Sequence, residues 1–185
     1  MATTQSTNLP LGVEAPPFDL GDVVTGESVS LELFSSDKAL LVMFICRHCP
    51  YVKHVEKELA RLGEDYAGES VGIVAISSND AVAYPDDAPA SLREMALELG
   101  FKFPFCYDAS QQVARDYSAV CTPDFYVFDR QRKLVYHGQL DNSRRGSSIP
   151  VTGSDLRAAI DAVLANNRVN PEQRPSIGCS IKWRE

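Results

Sequence analysis

The sequence predicts an α/β fold. Ala39 to Ile45 is an unbroken apolar run, the mark of a strand buried on both faces. Val71 to Ser77 is a second run of the same kind. Between them Val52, Val55, Leu59, Leu62 and Tyr66 recur at helical spacing with charges in the gaps, which is an amphipathic helix. Strand, helix and strand in that order imply a parallel pair with a right-handed crossover. At 185 residues and 20.3 kDa the chain reads as a single domain with one sizeable core.

The remaining elements follow in order. Residues 1–12 are Ser/Thr-rich and read as a loose N-terminus. Val13 to Leu20 is extended, because Pro16 and Pro17 forbid a helix. Val23 to Leu31 carries a Thr25-Gly26 turn signal and is expected to form a hairpin. Asn79 to Pro89 is acidic and proline-rich and reads as an inserted surface loop. Ser91 is the expected cap of a helix running to Leu99 and stopped by Gly100. Phe103 to Tyr107 should be a short strand and Gln112 to Tyr117 a short helix. Phe125 to Phe128 and Lys133 to Gln139 flank the turn 129–132 and should pair as an antiparallel hairpin. Ser154 to Leu164 is a last amphipathic helix, capped by Ser154 or Gly153. Residues 166–185 form a polar tail, carrying Cys179 and Trp183, that packs on the domain.

Composition narrows the function. The net charge is −7 and no basic cluster is present, which argues against nucleic acid or an anionic membrane as partner. No apolar segment is long enough to span a bilayer. Met1 to Gly12 has neither basic residues nor an apolar stretch, so it is not read as a secretory signal, and a cytoplasmic protein is expected. Five cysteines, an odd count, do not make a disulfide framework in a chain of this length.

Cys46 and Cys49 alone are spaced as a unit, in Cys46-Arg47-His48-Cys49. They lie where the first apolar run gives way to the helix opened by Pro50, a residue tolerated at a helix start because the N–H it lacks would be unpaired there. A thiol among the free backbone N–H groups of a helix N-terminus ionises more easily, and the thiolate is its reactive form. The second sulfur is within reach of the first, so the expected centre is a redox-active Cys46–Cys49 disulfide with no other cofactor and no metal.

This order of elements, with Cys-x-x-Cys after the first core strand, resembles the thioredoxin fold. Cys121-Thr122-Pro123-Asp124, opening the strand at Phe125, is similar to the cis-proline loop that faces the active site in that fold. Gly12 to Leu20 looks like the entry of the redoxin branch, which includes peroxiredoxins and TlpA-type oxidoreductases. Cys-Arg-His-Cys-Pro together with the Gly-Cys-Ser-Ile-Lys-Trp tail is most similar to a peroxiredoxin-like thioredoxin family. The resemblance covers Gly12 to Leu164. It implies a three-layer α/β/α sandwich around a mixed sheet, with the hairpin and the inserted loop and helix as additions. Two departures stand out. The first core strand lacks the buried acid that thioredoxins place there, Leu40 taking its position. Met43 stands where peroxiredoxins carry a Thr or Ser, three residues before the attacking cysteine, so the likeness to peroxiredoxins is one of scaffold.

On this reading Cys46 attacks a protein disulfide and Cys49 resolves the mixed disulfide. Arg47 and His48 are the expected tuners of thiol acidity, placing the potential between about −270 and about −120 mV, the thioredoxin value and that of a very oxidising dithiol. Thr122 and Pro123 should present backbone to an extended substrate segment. Cys121 is a candidate third thiol, although packing is the plainer role. For Cys179 the plainer role is docking of the tail, for Cys106 a place in the core, for His54 the surface, and for His137 a structural hydrogen bond. The partners implied are protein disulfides or dithiols and a thiol reductant of the thioredoxin or glutathione kind. Competing functions are a thiol peroxidase (an antioxidant role) using Cys46, a redox sensor, and a zinc or iron–sulfur module in which Cys46 and Cys49 join Cys121 or His48. A closed zinc site needs four ligands, and only one knuckle is present.

Overall fold

A computed structural model describes residues 3–184. In chain order the elements are β1 (Thr3–Gln5), β2 (Asp19–Gly21), β3 (Ser28–Ser30), β4 (Ala39–Phe44), α1 (Pro50–Asp65), β5 (Val71–Ser77), α2 (Pro89–Leu99), β6 (Phe105–Tyr107), α3 (Gln112–Asp116), β7 (Cys121–Thr122), β8 (Asp124–Phe128), β9 (Leu134–Gly138), α4 (Ser154–Leu164) and β10 (Ile177–Ser180). The central sheet has the order β6-β5-β4-β8-β9. β4 runs parallel to β5 and β5 to β6, whereas β8 is antiparallel to both β4 and β9. The predicted crossover and the β8–β9 hairpin are present, whereas the hairpin expected within Val23 to Leu31 takes its first strand earlier, β2 (Asp19–Gly21) pairing with β3 (Ser28–Ser30).

β4 is the middle strand, and each of its six residues is buried. Alternation divides its side chains between two apolar layers. Leu41 and Met43, with Ile45 beyond them, meet Val52, Val55, Leu59 and Leu62 of α1 and Leu156 and Ile160 of α4. Leu40, Val42 and Phe44 face the other way, onto Phe18, Phe34, Val113 and Tyr117. The sheet is therefore covered on both faces, as an all-apolar strand demands. A salt bridge ties two of the covering helices together: Arg157 of α4 reaches the buried Glu58 of α1 at 2.7 Å and Asp65 at 2.9 Å.

Three expectations are corrected and one alternative is resolved. α2 begins at Pro89 after Ala88, and Ser91, instead of capping it, donates from its hydroxyl to the Pro85 carbonyl at 3.2 Å. Proline at the first helical position starts this helix by fixing φ, with no side-chain cap needed. Of the two residues considered for the start of α4, Gly153 is the N-cap, in a left-handed conformation (φ 67°). The loose N-terminus contains β1, and the polar tail contains β10. β10 lies between β1 and β7 in a second, antiparallel three-stranded sheet. Among the described residues no helix is long and apolar enough to cross a membrane.

Candidate active site

The site forms where β4 ends and α1 begins. Helix α1 starts at Pro50, so its N-cap is Cys49 and Cys46 lies one turn earlier, in the connecting loop. The sulfur at the helix N-terminus is therefore that of Cys49, and both thiols are buried. Cys46 is 1% exposed and Cys49 0%. The two sulfurs shift each other's acidity in opposite directions.

Their acidities diverge. Cys49 is lowered to about 5 because Cys46, Cys179 and Thr122 hydrogen-bond to it and the Val52 backbone N–H faces it, together outweighing burial. Cys46 is pushed well up by its hydrogen bond to the Cys49 sulfur, by burial and by the Asp87 carboxylate. The negative charge of the reduced pair thus rests on Cys49. A helix N-terminus favours an anion there, as the sequence suggested, but it acts on the second sulfur.

Thr122 stands against both sulfurs. Its hydroxyl is 3.4 Å from Cys46 Sγ, and its carbonyl lies 3.2 Å from Cys49 Sγ. The Thr122–Pro123 peptide bond is cis. The expected role of this backbone as a free edge for substrate is corrected. β10 already pairs with it, Cys179 opposite Thr122 and Ser180 opposite Cys121. Contact is close: a Cβ on Gly178 would fall 1.9 Å from the Thr122 carbonyl oxygen.

Cys121 is buried, and its acidity is suppressed by burial, by Asp124 and by the nearby Cys49 and Cys179 sulfurs. Alternation along β7 turns it away from the face on which Thr122 meets Cys46. Cys179, given only a docking role by its position in the tail, shares the buried cluster of Cys46 and Cys49, and the Cys49 sulfur helps to raise its acidity constant.

Arg47 and His48 do not act as a pair of free cations. Arg47 makes ion pairs across to Glu94 at 2.7 Å and Glu98 at 3.7 Å on α2. His48 donates from Nδ1 to Asp87 and stacks on Tyr84 with ring centroids 5.3 Å apart. Its Nδ1 is also 4.0 Å from Cys46 Sγ. Asp87, fully buried, is the residue that sequence reasoning missed. Its Oδ1 accepts from the backbone N–H groups of Arg47 at 2.8 Å and His48 at 3.1 Å, and its Oδ2 from the Asn79 amide at 2.8 Å. Burial alone would raise its carboxyl, yet the hydrogen bonds from His48 and Asn79 hold it below the ordinary value. The inserted loop was read as surface, and nothing in its composition separates Asp87 from exposed Asp86 beside it. Only the loop's proximity to the Cys-x-x-Cys turn gives Asp87 a function, as the clamp on that turn.

The remaining polar candidates fall into place. Cys46, His48 and Asp87 bring one ligand atom each within 4.8 Å of one another. This grouping omits Cys49 and Cys121, and the Asp87 oxygens are already engaged by four donors. His137 bonds Asp124 at 3.2 Å and stacks on Tyr126, the structural role expected of it. Neither buried carboxylate near the site replaces the acid missing from β4: Asp87 faces Cys46, and Asp124 is held by His137 and Tyr126. The protein's own tail extends over the same region. Lys182 N–H donates to Asn79 Oδ1 at 2.8 Å, and Asp80 N–H to the Lys182 carbonyl at 2.8 Å.

Residues 11–137 match the AhpC/TSA family. No curated protein matches the chain. Among solved structures, an uncharacterized conserved protein from Geobacillus kaustophilus is 54% identical, with 100% of this chain and 97% of that one covered and a TM-score of 0.97. A hypothetical protein from Sinorhizobium meliloti 1021 is 48% identical, with 98% of each chain covered and a TM-score of 0.96. A thiol:disulfide interchange protein of the thioredoxin family from Chlorobium tepidum is 15% identical, with 85% of this chain and 99% of that one covered; its TM-score of 0.64 speaks for the fold alone. The fold is thioredoxin-like, as the order of elements predicts.

Proposed function

The chain belongs to the AhpC/TSA family, and on that premise we propose that it is a thiol–disulfide oxidoreductase whose redox pair is Cys46 and Cys49. One observation carries the reading: both buried thiols of the Cys-x-x-Cys turn stand against one residue, Cys46 against the Thr122 hydroxyl at 3.4 Å and Cys49 against the Thr122 carbonyl at 3.2 Å.

Cys46 is the sulfur that meets substrate. Cys49 is enclosed by the Thr122 carbonyl and by Cys179 of the tail strand. Passage of the Cys46 proton to Cys49 transfers the negative charge to Cys46. The Cys46 thiolate attacks one sulfur of a protein disulfide; that bond breaks, and the other substrate sulfur leaves as a thiolate and takes up a proton. Cys49 gives up its proton and attacks Cys46 Sγ, closing Cys46–Cys49 and releasing the second substrate sulfur. The substrate gains the two electrons that the dithiol loses. A thiol reductant, of the thioredoxin or glutathione kind, returns them, which suits a reducing compartment such as the cytoplasm.

The test is a trap. Cys49→Ser should accumulate substrate as a mixed disulfide on Cys46, detected by non-reducing electrophoresis and peptide mapping. A folded variant that captures nothing, beside a wild type that fails to reduce protein disulfides, ends this reading.

One observation favours a second reading, thiol peroxidase. The Thr122 hydroxyl at 3.4 Å from Cys46 Sγ offers a hydrogen bond that Met43 cannot. Cys46 would attack a hydroperoxide oxygen, releasing an alcohol and leaving a sulfenic acid; Cys49 would displace water from it and form the same disulfide. A coupled peroxide-consumption assay separates the two, because an oxidoreductase without peroxidase chemistry turns over protein disulfides only.

A further inference from the structure

The mechanism leaves Cys179 unused, although it sits inside the site. β10 pairs antiparallel with β7, and the register sets Cys179 directly across from Thr122. Gly178 allows the strand to come so near, since any side chain there would strike the Thr122 backbone. Cys179 is 1% exposed and belongs to the same apolar cluster as Cys46 and Cys49. Cys49, 3.2 Å from the Thr122 carbonyl, therefore has two thiols as neighbours in one buried cluster, one from its own loop and one set opposite Thr122 on the tail strand. The tail strand occupies the edge that an extended substrate was expected to take, and it presents a cysteine there.

We propose that Cys179 is a third redox thiol of the site, attacking the Cys46–Cys49 disulfide at Cys49 and moving it onto the tail strand as Cys49–Cys179. The inference rests on the reading that Cys46 and Cys49 form a disulfide. In the step, Cys179 gives up its proton and its sulfur bonds to Cys49 Sγ. The Cys46–Cys49 bond breaks, and Cys46 leaves with the electron pair and takes up a proton. No electrons enter or leave the protein. Exchange is timed by the first disulfide. In the reduced protein, burial and the neighbouring Cys49 sulfur push the Cys179 thiol up to about 12. Once Cys49 is bonded to Cys46 its negative charge is gone, and that part of the penalty goes with it. The outcome is a disulfide held beneath β10 and a Cys46 returned to the thiol form.

The experiment uses the full chain carrying Cys46→Ser, oxidised with diamide, which accepts the two electrons and two protons released by two thiols. Native circular dichroism confirms the fold, and non-reducing digestion with mass spectrometry maps the link. The expected result is loss of two titratable thiols and a Cys49–Cys179 peptide pair, both absent when Cys179→Ser is added. A native Cys46→Ser protein that keeps all its thiols, or links others, overturns the proposal. Wild type mapped in parallel tests the redox pair itself: a Cys46–Cys49 link there with none in the variant sinks the relay and spares the oxidoreductase reading. A Cys49–Cys179 link in wild type is the relay's own product and supports it, whereas a wild type that forms neither link beside a linked variant sinks the redox-pair assignment and the relay with it. Should Cys46→Ser not fold, Cys46→Ala and the wild-type map at limiting diamide decide the same question, a Cys49–Cys179 pair in either supporting the relay and its absence from both overturning it.

Discussion

Gly178 and Thr122 are in such close backbone contact that a single methyl group would not fit: a Cβ at 178 would lie 1.9 Å from the Thr122 carbonyl oxygen. Backbone cannot swing aside as a side-chain tip can. Gly178→Ala is therefore expected to lift β10 and to cost about 1–3 kcal/mol of stability, the usual range for overpacking. The site thiols should react faster with a bulky aromatic disulfide, about tenfold for each 1.4 kcal/mol of closure lost. An unchanged rate would mean that β10 does not cover the sulfurs.

Asp87→Ala leaves two backbone N–H groups, the His48 imidazole and the Asn79 amide without their shared acceptor. Orphaned buried donors cost about 1–3 kcal/mol in all when some find water. Urea denaturation should show that loss. The Cys46 thiol, relieved of a facing carboxylate, should ionise more easily and make the disulfide a stronger oxidant. A more reducing potential in the variant would contradict the electrostatic role.

The acidity of Cys49 sets a pH signature. Above about 5 the reduced pair holds one proton, because Cys49 is ionised and Cys46 is not. Reduction there consumes one proton for two electrons, and the potential should fall by about 30 mV per pH unit. Below that pH two protons are consumed and the slope doubles to about 60 mV. Stability follows with the same sign: a thiol lowered from 9.0 to about 5 on folding favours the reduced fold increasingly as pH rises between those values, and that advantage is lost on acidification through 5. Protein film voltammetry reads the slope, and a straight line of 60 mV per unit from pH 4 to 8 would refute the shared-charge picture.

Arg157→Ala tests the α1–α4 tie apart from the chemistry. Glu58 would remain buried with only the exposed Arg61, 3.5 Å away, as a cation. Breaking a fully buried pair costs about 3–5 kcal/mol, and the partial exposure of Arg157 reduces this to about 2 kcal/mol. Chemical denaturation should show the loss while the alkylation rate of Cys46 stays as in wild type.

Much of the architecture was legible because its signals are local. The apolar run at 39–45 can only be an interior strand, and Pro50 can only stand at a helix start, so the Cys-x-x-Cys turn had one place to go. Thr122-Pro123 likewise carried its own conformational mark. What escaped notice depends on contacts between distant segments. Asp87 and Asp86 are alike in sequence, yet one is fully buried beneath the Cys-x-x-Cys turn and the other is exposed. The tail from 166 reads as polar coil, and its strand exists only because β1 and β7 flank it. Arg47 looked like a tuner of thiol acidity until Glu94 and Glu98, one turn apart on α2, claimed its charge.

With 1% and 0% of Cys46 and Cys49 open to solvent, neither sulfur can be reached in the resting conformation by anything the size of a polypeptide. Any partner must wait for a fluctuation that parts the covering segments, so the measured rate constant is the intrinsic exchange rate multiplied by the fraction of time spent ajar. Small electrophiles and whole proteins should therefore rank differently as reactants, the former sampling brief gaps and the latter only the widest ones. Turnover in this molecule would then be throttled by breathing of the fold as much as by thiol acidity.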